Sequence, residues 1–539
     1  MSFITDIKVL SSLEKIYPED SIPSVEYCGF SMLKNEKKSF QVAVNVSDDT
    51  EAQLNIESTF EKARVYSVEY IKSDLPMDKK NADDYYRYSK SGYYPDLLKP
   101  VYGDKINLKK GVNVFWFEVD GRDGTTGDNN ITVCIGSETV NIRIEIIDAE
   151  LDFSDFAYTN WFHCDCLMSH YGFEAFSDDF WRVVENYLST AVEYGMNCVL
   201  TPVFTPPLDT QVGKERPTVQ LVDVTVKNGA YSFGFDKLTR WIEMAERCGI
   251  KYFEISHLYT QWGAKYAPKI MADVDGEYKR IFGWDTKASG KKYKKFLAEF
   301  AREIDKYFKS KNMCDRVFIH VSDEPNLMML PAYRKASRYI HSLFSDYKII
   351  DALSEYLFYK LKVVSNPIPA NDHIDKFIGN VKNLWVYYCS AQKNHCVSNR
   401  FFCNESIRTR IIGYQMFKYD IKGFLHWGYN FYFSHLSKAV IDPFEVSDAG
   451  GKFPSGDSYI VYPAEDGTAL HSIRLKVFYD ALQDMAALRT LKNISDKKIC
   501  MDIIDSGDSL TFRNYSHENS WLLETREKIN HEIKTRLGA

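Results

Sequence analysis

After about residue 155, short apolar segments alternate with longer segments of helical periodicity, and this alternation restricts the possible folds more than any other feature. The eight short segments predicted as strands are residues 160–163, 197–201, 252–256, 317–321, 348–351, 362–365, 384–388 and 423–427. One helical segment carries a single apolar stripe, formed by Leu297, Phe300, Ala301, Ile304 and Phe308. Strands and helices in this alternation predict a TIM-like (β/α)8 barrel with some insertions.

The first 150 residues follow a different pattern. Residues 140–147 alternate apolar and charged side chains with a period of two, as a half-buried strand does, and residues 38–45 and 112–119 behave similarly. Turn-like stretches rich in Gly, Asp and Thr, such as residues 120–127, separate these segments. This region therefore predicts an all-β domain, and a β-sandwich is its expected architecture.

The predicted domain boundary falls where the two patterns meet. We expect a β-sandwich over residues 1–150 and a catalytic barrel over residues 151–539. Helices predicted at residues 472–490 and 518–536 would close the barrel wall. No internal repeat or coiled coil is present.

Charge and cysteine usage exclude several classes of protein. The net charge is −7 and no basic cluster is present, so nucleic acid is not an expected partner. No segment approaches the length that spans a membrane, and the N-terminus lacks the basic and apolar regions of a signal peptide. The 11 cysteines are scattered without a disulfide-like framework, which indicates reduced thiols and predicts a cytoplasmic protein.

Aromatic residues make up 15% of the chain, which is the one unusual figure in its composition. Aromatic rings stack on the apolar faces of sugars, so this content fits a carbohydrate site. It fits AT-rich codon usage equally well.

The fourth predicted strand ends in two adjacent carboxyl groups. The segment RVFIHVSDEP at residues 316–325 places Asp323 and Glu324 side by side, and Pro325 stops strand pairing. Like charges repel, so the pair costs free energy unless a ligand binds there or one carboxyl group holds a proton. Because the active site of such a barrel forms at the carboxyl ends of its strands, both residues are predicted to be catalytic. The alternative is a helix N-cap with a solvated neighbour.

Polar and aromatic residues follow several other predicted strands. Together they would form a pocket with stacking faces and hydrogen-bond partners, which is what a pyranose needs. The predicted substrate-binding residues are His163, Asp165, His257, Trp262, Tyr387, Trp427, Tyr429 and Asn430. Trp427 is the expected floor for a sugar ring, although core packing is the alternative. An oligosaccharide or glycoside is thus the expected partner.

Residues 163–166 (His-Cys-Asp-Cys) can be interpreted as metal ligands. On a strand, however, Cys164 and Cys166 would point to one face and His163 and Asp165 to the other. No second Cys/His pair at finger-like spacing completes a site. Neither a metal nor another cofactor is therefore predicted.

Glycoside hydrolysis normally needs two carboxyl groups, one to protonate the leaving oxygen and one to act as nucleophile or base. In the substrate-assisted variant, the 2-acetamido carbonyl of the sugar attacks the anomeric carbon instead. The protein then supplies an acid and a carboxylate that orients the acetamide. A sequential Asp-Glu pair suits this division, and the neighbouring charge is expected to raise the pKa of Glu324.

Several motifs make the chain similar to glycoside hydrolase family 123, the retaining β-N-acetylgalactosaminidases and their relatives. HVSDEP at residues 320–325 resembles the catalytic motif of the family. Other motifs resemble its N-terminal sandwich and its catalytic domain; they lie at residues 33–41, 94–98, 160–166, 457–463 and 472–474. The resemblance implies that Asp323 orients the acetamide and that Glu324 is the general acid/base.

We therefore expect an exo-acting, retaining β-N-acetylhexosaminidase that favours N-acetylgalactosamine and works through an oxazolinium intermediate. Either Tyr387 or Tyr429 could bind the acetamide carbonyl. A conventional retaining glycosidase of different sugar specificity is a second hypothesis, with Glu324 as acid and Glu254 or Asp351 as nucleophile. A carbohydrate-binding relative that has lost catalysis is the third.

Overall fold

The N-terminal region is built of strands. The computed structural model describes residues 3–261 and 263–538. Up to residue 150, the described residues form one short 3-10 helix, Gly121–Asp123, and ten strands. The strands are Ile4–Ser11, Gly29–Leu33, Lys37–Val46, Thr50–Ser58, Ala63–Ser73, Gly92–Pro100, Lys105–Leu108, Gly111–Asp120, Gly127–Ile135 and Glu138–Ile147.

These strands form the two layers of the predicted β-sandwich. Lys37–Val46 lies next to the edge strand Ile4–Ser11 of the first layer and pairs antiparallel with Gly111–Asp120, so that Phe40 stands opposite Phe117. In the second layer, Glu138–Ile147 pairs antiparallel with Gly127–Ile135. The core between the layers receives apolar side chains from both, among them Val42, Val44, Phe117, Ile131, Ile142 and Ile144.

The first layer is extended by strands from the far end of the chain. Ala469–Ser472 pairs antiparallel with Gly92–Pro100, and Tyr462–Pro463 continues the sheet beyond it. The sequence pattern does not anticipate this extension, because these strands are too short to show alternation. The sandwich is therefore joined to the C-terminal part of the chain by a shared sheet. The boundary at residue 150 stays a prediction.

Eight parallel strands form the predicted barrel. They are Ala157–Asn160, Cys198–Thr201, Tyr252–Ile255, Val317–Ile319, Lys348–Ala352, Asn366–Ile368, Trp385–Tyr387 and Gly423–His426. Strands one to six pair in chain order, the eighth pairs with the first, and the seventh pairs with the eighth. A single bridge between Ala370 and Tyr387 links the sixth and seventh strands, so the barrel is nearly closed.

Two predicted strand positions were wrong. The first strand ends at Asn160, so residues 161–163 follow it, and a helix begins at Cys164. Cys164 and Asp165 therefore do not alternate on a strand. The sixth strand is Asn366–Ile368, C-terminal to the predicted residues 362–365. Its ladder partner is the fifth strand alone, and an edge position of this kind tolerates the proline within it.

Helices cover the barrel. They are Cys164–Tyr171, Asp178–Glu193, Asp236–Cys248, Lys291–Ser310, Leu330–Leu343, Tyr356–Lys360, Ser406–Arg410, Ile412–Lys418, Ile473–Ile494, Lys497–Ile504 and Asn519–Leu537. Short 3-10 helices lie at Cys314–Arg316, Leu327–Met329, Ile374–Lys376 and His435–Ser437. The predicted stripe from Leu297 to Phe308 is buried on its helix. None of the described helices is both long and apolar enough to cross a membrane.

Two hairpins are inserted after the second and third barrel strands. Asp223–Lys227 with Ala230–Gly234, and Ile270–Val274 with Glu277–Phe282, pair into a four-stranded sheet. These are insertions of the kind predicted for the barrel.

The long helix Ile473–Ile494 packs against both parts of the molecule. It contacts the helices Ser406–Arg410 and Ile412–Lys418 on the barrel side and the strand Gly92–Pro100 of the sandwich. Arg474 on this helix forms a buried, two-pronged ion pair with Asp96, with N–O distances of 2.8 Å. The barrel and the sandwich are thereby held by charge pairing as well as by apolar contact.

Candidate active site

A pocket opens at the carboxyl ends of the barrel strands. The space inside it, open mouth included, is about 670 Å³. The lining includes Trp161, Asp209, Gln261, Asp323, Glu324, Tyr387, Cys389, Trp427, His435 and Phe453. The pocket thus brings together these residues from the ends of six barrel strands, the first to the fourth, the seventh and the eighth, or from the segments that follow them.

Asp323 and Glu324 both line this pocket, just beyond the fourth strand. Glu324 has a φ angle of 39°, in the left-handed region that a non-glycine residue rarely adopts. Its backbone N–H donates to the carbonyl of Ala352 at 3.1 Å, which ties the strained residue to the end of the fifth strand. Strain of this kind persists where the surroundings over-determine it, and it is common at active sites.

The carboxyl group of Glu324 is held by one tyrosine. The Tyr387 hydroxyl donates to Oε1 of Glu324 at 2.6 Å, and Sγ of Cys389 lies 4.0 Å from the same oxygen. Burial raises the pKa of Glu324, the Tyr387 hydrogen bond opposes this, and the charge of Asp372 adds to it. The raised pKa suits a group that must carry a proton near neutral pH.

Asp323 shares the electrostatics of its neighbour. Burial and the charge of Glu324 raise the pKa of Asp323, while the positive charge of His320 lowers it. Burial is thus the main cause for both groups, and the neighbouring charge raises the pKa of Asp323 rather than that of Glu324, contrary to the expectation from the sequence. Two carboxyl groups coupled in this way retain a proton to higher pH than two separate ones.

Trp427 forms an aromatic wall of the pocket. Its ring packs edge-on against Phe431 and Phe453, with centroid distances of 5.0 and 5.3 Å. Its Nε1–H donates to Oδ2 of Asp457 at 2.9 Å. Asp457 is fully buried, and burial raises its pKa to about 7. An indole ring fixed on both sides offers a rigid stacking surface.

A polar group that the sequence did not reveal lines another part of the pocket. Oδ2 of Asp209 accepts the backbone N–H of Leu436 at 2.8 Å, and Nε2 of His435 lies 3.9 Å from Oδ1. Gln261 accepts the backbone N–H of Asp209 at 2.6 Å. Asp209 also has a positive φ angle, 37°. A carboxylate, an imidazole and an amide here could bind sugar hydroxyls.

Of the eight predicted substrate-binding residues, the structure places Tyr387 and Trp427 in the pocket lining and five others beneath it. His163 lies beyond the end of the first strand and is buried, and its Nε2 lies 2.8 Å from the Trp427 carbonyl. Asp165 is also buried and forms a two-pronged ion pair with Arg216. Both support the wall rather than line it.

The remaining predicted residues lie deeper or elsewhere. The Tyr429 hydroxyl donates to the carbonyl of Tyr187 at 3.0 Å, and Oδ1 of Asn430 accepts the N–H of His163 at 2.9 Å. His257 is buried against His320, with ring centroids 4.5 Å apart. Trp262 lies outside the described residues.

The two rival carboxylates, Glu254 and Asp351, are fully buried below the pocket and flank His320. Within the described residues, His257, His320 and Asp351 form a group that could hold a metal ion, with ligand atoms within 4.8 Å of one another. A metal needs deprotonated imidazole, whereas the two acids raise the pKa of His320 to about 9. The donors therefore fit a proton better than a metal.

An eight-stranded parallel barrel with an acid pair in an aromatic pocket, at the carboxyl ends of its strands, defines the class of barrel glycoside hydrolases. A family model described as glycoside hydrolase 123, catalytic domain, matches residues 161–491. This match spans more than half of the chain, and the chain belongs to glycoside hydrolase family 123. The protein is accordingly a glycoside hydrolase.

Comparison with solved structures concerns the fold alone. The fold is similar to a family 123 glycoside hydrolase from Clostridium perfringens, studied for glycolipid glycan hydrolysis, with a TM-score of 0.73 and 14% identity over 99% of this chain and 98% of that one. A family 5 mannosidase from Rhizomucor miehei matches 63% of this chain and 94% of its own at 11% identity, with a TM-score of only 0.31. No curated protein matches the sequence significantly. The first comparison supports the order of sandwich and barrel.

Proposed function

We propose that this glycoside hydrolase removes terminal β-linked N-acetylhexosamine, with N-acetylgalactosamine preferred, by substrate-assisted catalysis with retention. The observation that carries this proposal is the placement of Asp323 and Glu324 together in one aromatic pocket, with the pKa of each raised. One acid and one orienting carboxylate are what this mechanism requires of the protein.

The first step forms the oxazolinium ion. The acetamide carbonyl oxygen of the substrate bonds to C1, the bond from C1 to the leaving oxygen breaks, and the Glu324 proton passes to that oxygen. Asp323 orients the acetamide and stabilises its developing positive charge. The Tyr387 hydroxyl holds the carboxyl group of Glu324 in place.

The second step returns the enzyme to its starting state. Water attacks C1 of the oxazolinium ion, Glu324 takes a proton from that water, and the acetamide is restored. Two displacements at C1 give net retention. Of the two candidate tyrosines, Tyr387 is better supported as a pocket residue, because the Tyr429 hydroxyl is bonded to the Tyr187 carbonyl.

The conventional double displacement has less support. Its candidate nucleophiles, Glu254 and Asp351, are fully buried, and neither lines the pocket. Each also contacts His320, so a covalent role would break a buried charge pair.

The substrate class follows in part from the neighbour. Because the related enzyme from Clostridium perfringens was studied for glycolipid glycan hydrolysis, glycolipid glycans are candidates beside free oligosaccharides. Asp209, with His435 and Gln261 beside it, is proposed to bind the ring hydroxyls of the sugar.

The described cysteines are all free thiols, which fits the proposed cytoplasmic location.

A panel of aryl glycosides tests this proposal. We expect turnover of the 2-acetamido-β-galactoside, slower turnover of the gluco epimer, and inhibition by the matching thiazoline. Turnover confined to sugars with a free 2-hydroxyl would favour the double displacement instead. Tight sugar binding without turnover would favour the binding protein.

A further inference from the structure

Three buried ionisable side chains lie directly beneath the acid pair. His320 follows the fourth strand, and it stands between Glu254 on the third strand and Asp351 on the fifth. All three have no exposed side-chain surface. Nε2 of His320 lies 2.8 Å from Oε2 of Glu254, and Nδ1 lies 3.5 Å from Oδ1 of Asp351. Burying three ionisable groups costs desolvation free energy that only their mutual pairing offsets, so the arrangement calls for a functional explanation.

Asp351 holds the backbone that leads into the acid pair. Its Oδ1 accepts the N–H groups of Val321 at 2.9 Å and Ser322 at 3.3 Å. Its Oδ2 accepts the hydroxyl of Tyr333. The peptide groups just before Asp323 are therefore fixed by one buried carboxylate.

Glu254 connects the same network to the pocket wall. Its Oε2 accepts Nε1–H of Trp161 at 3.0 Å in addition to its contact with His320. Its Oε1 lies 3.3 Å from Sγ of Cys198. Trp161 lines the pocket. The network thus runs from a wall of the pocket, through His320, to the segment that carries Asp323.

We propose that Glu254, His320 and Asp351 form a positioning triad that fixes the segment carrying Asp323, so that its carboxyl group is held in the orientation that the acetamide needs, with the His320 ring as the basic group of its surroundings. The triad deepens the proposed function and rests on it, because the need for an oriented Asp323 carboxyl group comes from that mechanism. None of its members touches the sugar.

The charges of the surrounding groups support this role. Burial lowers the pKa of His320, but interactions with Asp351 and Glu254 outweigh burial and raise it to about 9. Burial raises the pKa of Glu254, yet its bond to His320 brings it below the usual value. His257, stacked on His320, stays neutral because burial and the charge of His320 lower its pKa. The triad therefore carries one positive charge, on His320, and this charge lowers the pKa of Asp323 while Asp351 raises it.

The sign of the effect on Asp323 follows. Burial, Glu324 and Asp351 raise the pKa of Asp323, and His320 is the cation that opposes them. If His320 loses its proton, the pKa of Asp323 rises. Asp323 then becomes anionic only at higher pH, so the acidic limb of the rate profile moves upward.

The charge-removing variant Glu254→Gln tests the triad. Its amide oxygen can still accept a hydrogen bond, so packing around Trp161 is kept while one anion is lost. We expect kcat to fall about tenfold with KM little changed, and the acidic limb of kcat/KM to move up by about one pH unit. Glu254→Asp keeps the charge, and its limb should stay near that of the wild type.

The matched control is Glu118→Gln. Glu118 is also a buried glutamate with a cationic partner, Lys476 at 2.8 Å, but it lies on a sandwich strand. This variant should unfold at a lower temperature than the wild type, and the acidic limb of its kcat/KM profile should lie at the wild-type pH. A Glu254→Gln limb that coincides with the wild type, or an equal shift in Glu118→Gln, would overturn the triad.

A readout without catalysis separates the triad from the proposed function. In ¹⁵N-histidine NMR spectra, assigned with His320→Gln, the wild-type His320 ring should titrate near pH 9 and the Glu254→Gln ring at lower pH. The pH profiles are recorded with the aryl glycoside that the wild type cleaves best. Turnover of 2-hydroxyl sugars alone would reject the proposed function, while unchanged NMR titration would reject the triad.

Discussion

The hydroxyl group of Tyr387 donates a 2.6 Å hydrogen bond to Oε1 of Glu324, which joins the seventh barrel strand to the segment beyond the fourth. The fourth and seventh strands are not neighbours in the barrel, and the seventh is linked to the sixth by a single bridge. This bond orients the proposed acid, and it also sets part of its proton affinity, since a hydrogen bond to a carboxylate favours the ionised form.

Removing this hydroxyl should move the alkaline limb of the rate profile. The Tyr387 bond lowers the pKa of Glu324, so Tyr387→Phe raises it, and the acid stays protonated to higher pH. We expect the alkaline limb of kcat/KM to shift upward and kcat to fall about tenfold, because the acid is less well oriented.

Two tyrosines serve as controls for that variant. The hydroxyl of the adjacent Tyr388 is buried, and no described group is its hydrogen-bond partner. Tyr429 bonds to a backbone carbonyl away from the pocket lining. Tyr388→Phe and Tyr429→Phe should both keep the wild-type profile. A shift in Tyr429→Phe but not in Tyr387→Phe would reverse the assignment.

Replacing the proposed acid should make the rate depend on the leaving group. Glu324→Gln cannot donate a proton, and general acid catalysis typically contributes about 10²–10⁴-fold. We expect a loss of this size for alkyl glycosides and a small loss for dinitrophenyl glycosides, measured as kcat/KM. Equal losses for both kinds of substrate would show that Glu324 is not the acid.

The polar group around Asp209 should determine the choice between epimers. Its Oδ1 lies 3.9 Å from His435, too long for a hydrogen bond, which leaves this oxygen able to accept one from a sugar hydroxyl. A hydrogen bond to a charged group contributes about 1.5–3 kcal/mol, so Asp209→Asn should cut kcat/KM for the preferred sugar about tenfold or more. The less preferred epimer should lose less. Asp223→Asn, at a partly exposed ion pair with Lys237, is the control.

The joint between sandwich and barrel should depend on Arg474. Besides Asp96, this side chain binds the carbonyls of Gly456 and Tyr459 at 2.7 Å each, all in a buried setting. Arg474→Met leaves a buried carboxylate without its partner, at a cost of about 3–5 kcal/mol. Calorimetry should record a lower Tm than for Arg182→Met, which breaks an exposed pair with Asp179. Equal Tm values would contradict this role.

Periodicity predicted most of the fold. Short strands that alternate with striped helices indicate a barrel whichever residues fill its loops, and the period-two segments indicated the sandwich. Periodicity was a poorer guide to the exact positions of the first and sixth strands. Trp161 and Phe162 are apolar residues that continue a strand pattern, yet the chain turns into a helix at Cys164. The sixth strand contains Pro367, and a proline argues against a strand in a sequence pattern, so this segment was not predicted.

The acid pair was visible in sequence because it follows its strand directly. Asp209 and His435, which line the pocket, and Asp457, which binds Trp427, were not visible, because they lie on long connections without local periodicity. Asp457 had one signal, its place in the motif at residues 457–463. For Asp209 and His435 we find no sequence signal. Conversely, the sequence predicted His163 and Asn430 as pocket residues. In the structure, the side-chain amide of Asn430 bonds to the backbone N–H and carbonyl of His163, and neither residue lines the pocket.

Substrates with progressively fluorinated acetamide groups test the central claim most directly. Each fluorine weakens the carbonyl oxygen as a nucleophile, so its effect reveals whether that oxygen attacks C1. We predict that kcat of the wild type falls steeply from acetyl to trifluoroacetyl, and that Asp323→Asn is slow with every member of the series. A kcat that does not change with fluorination would contradict substrate assistance by Asp323 and Glu324.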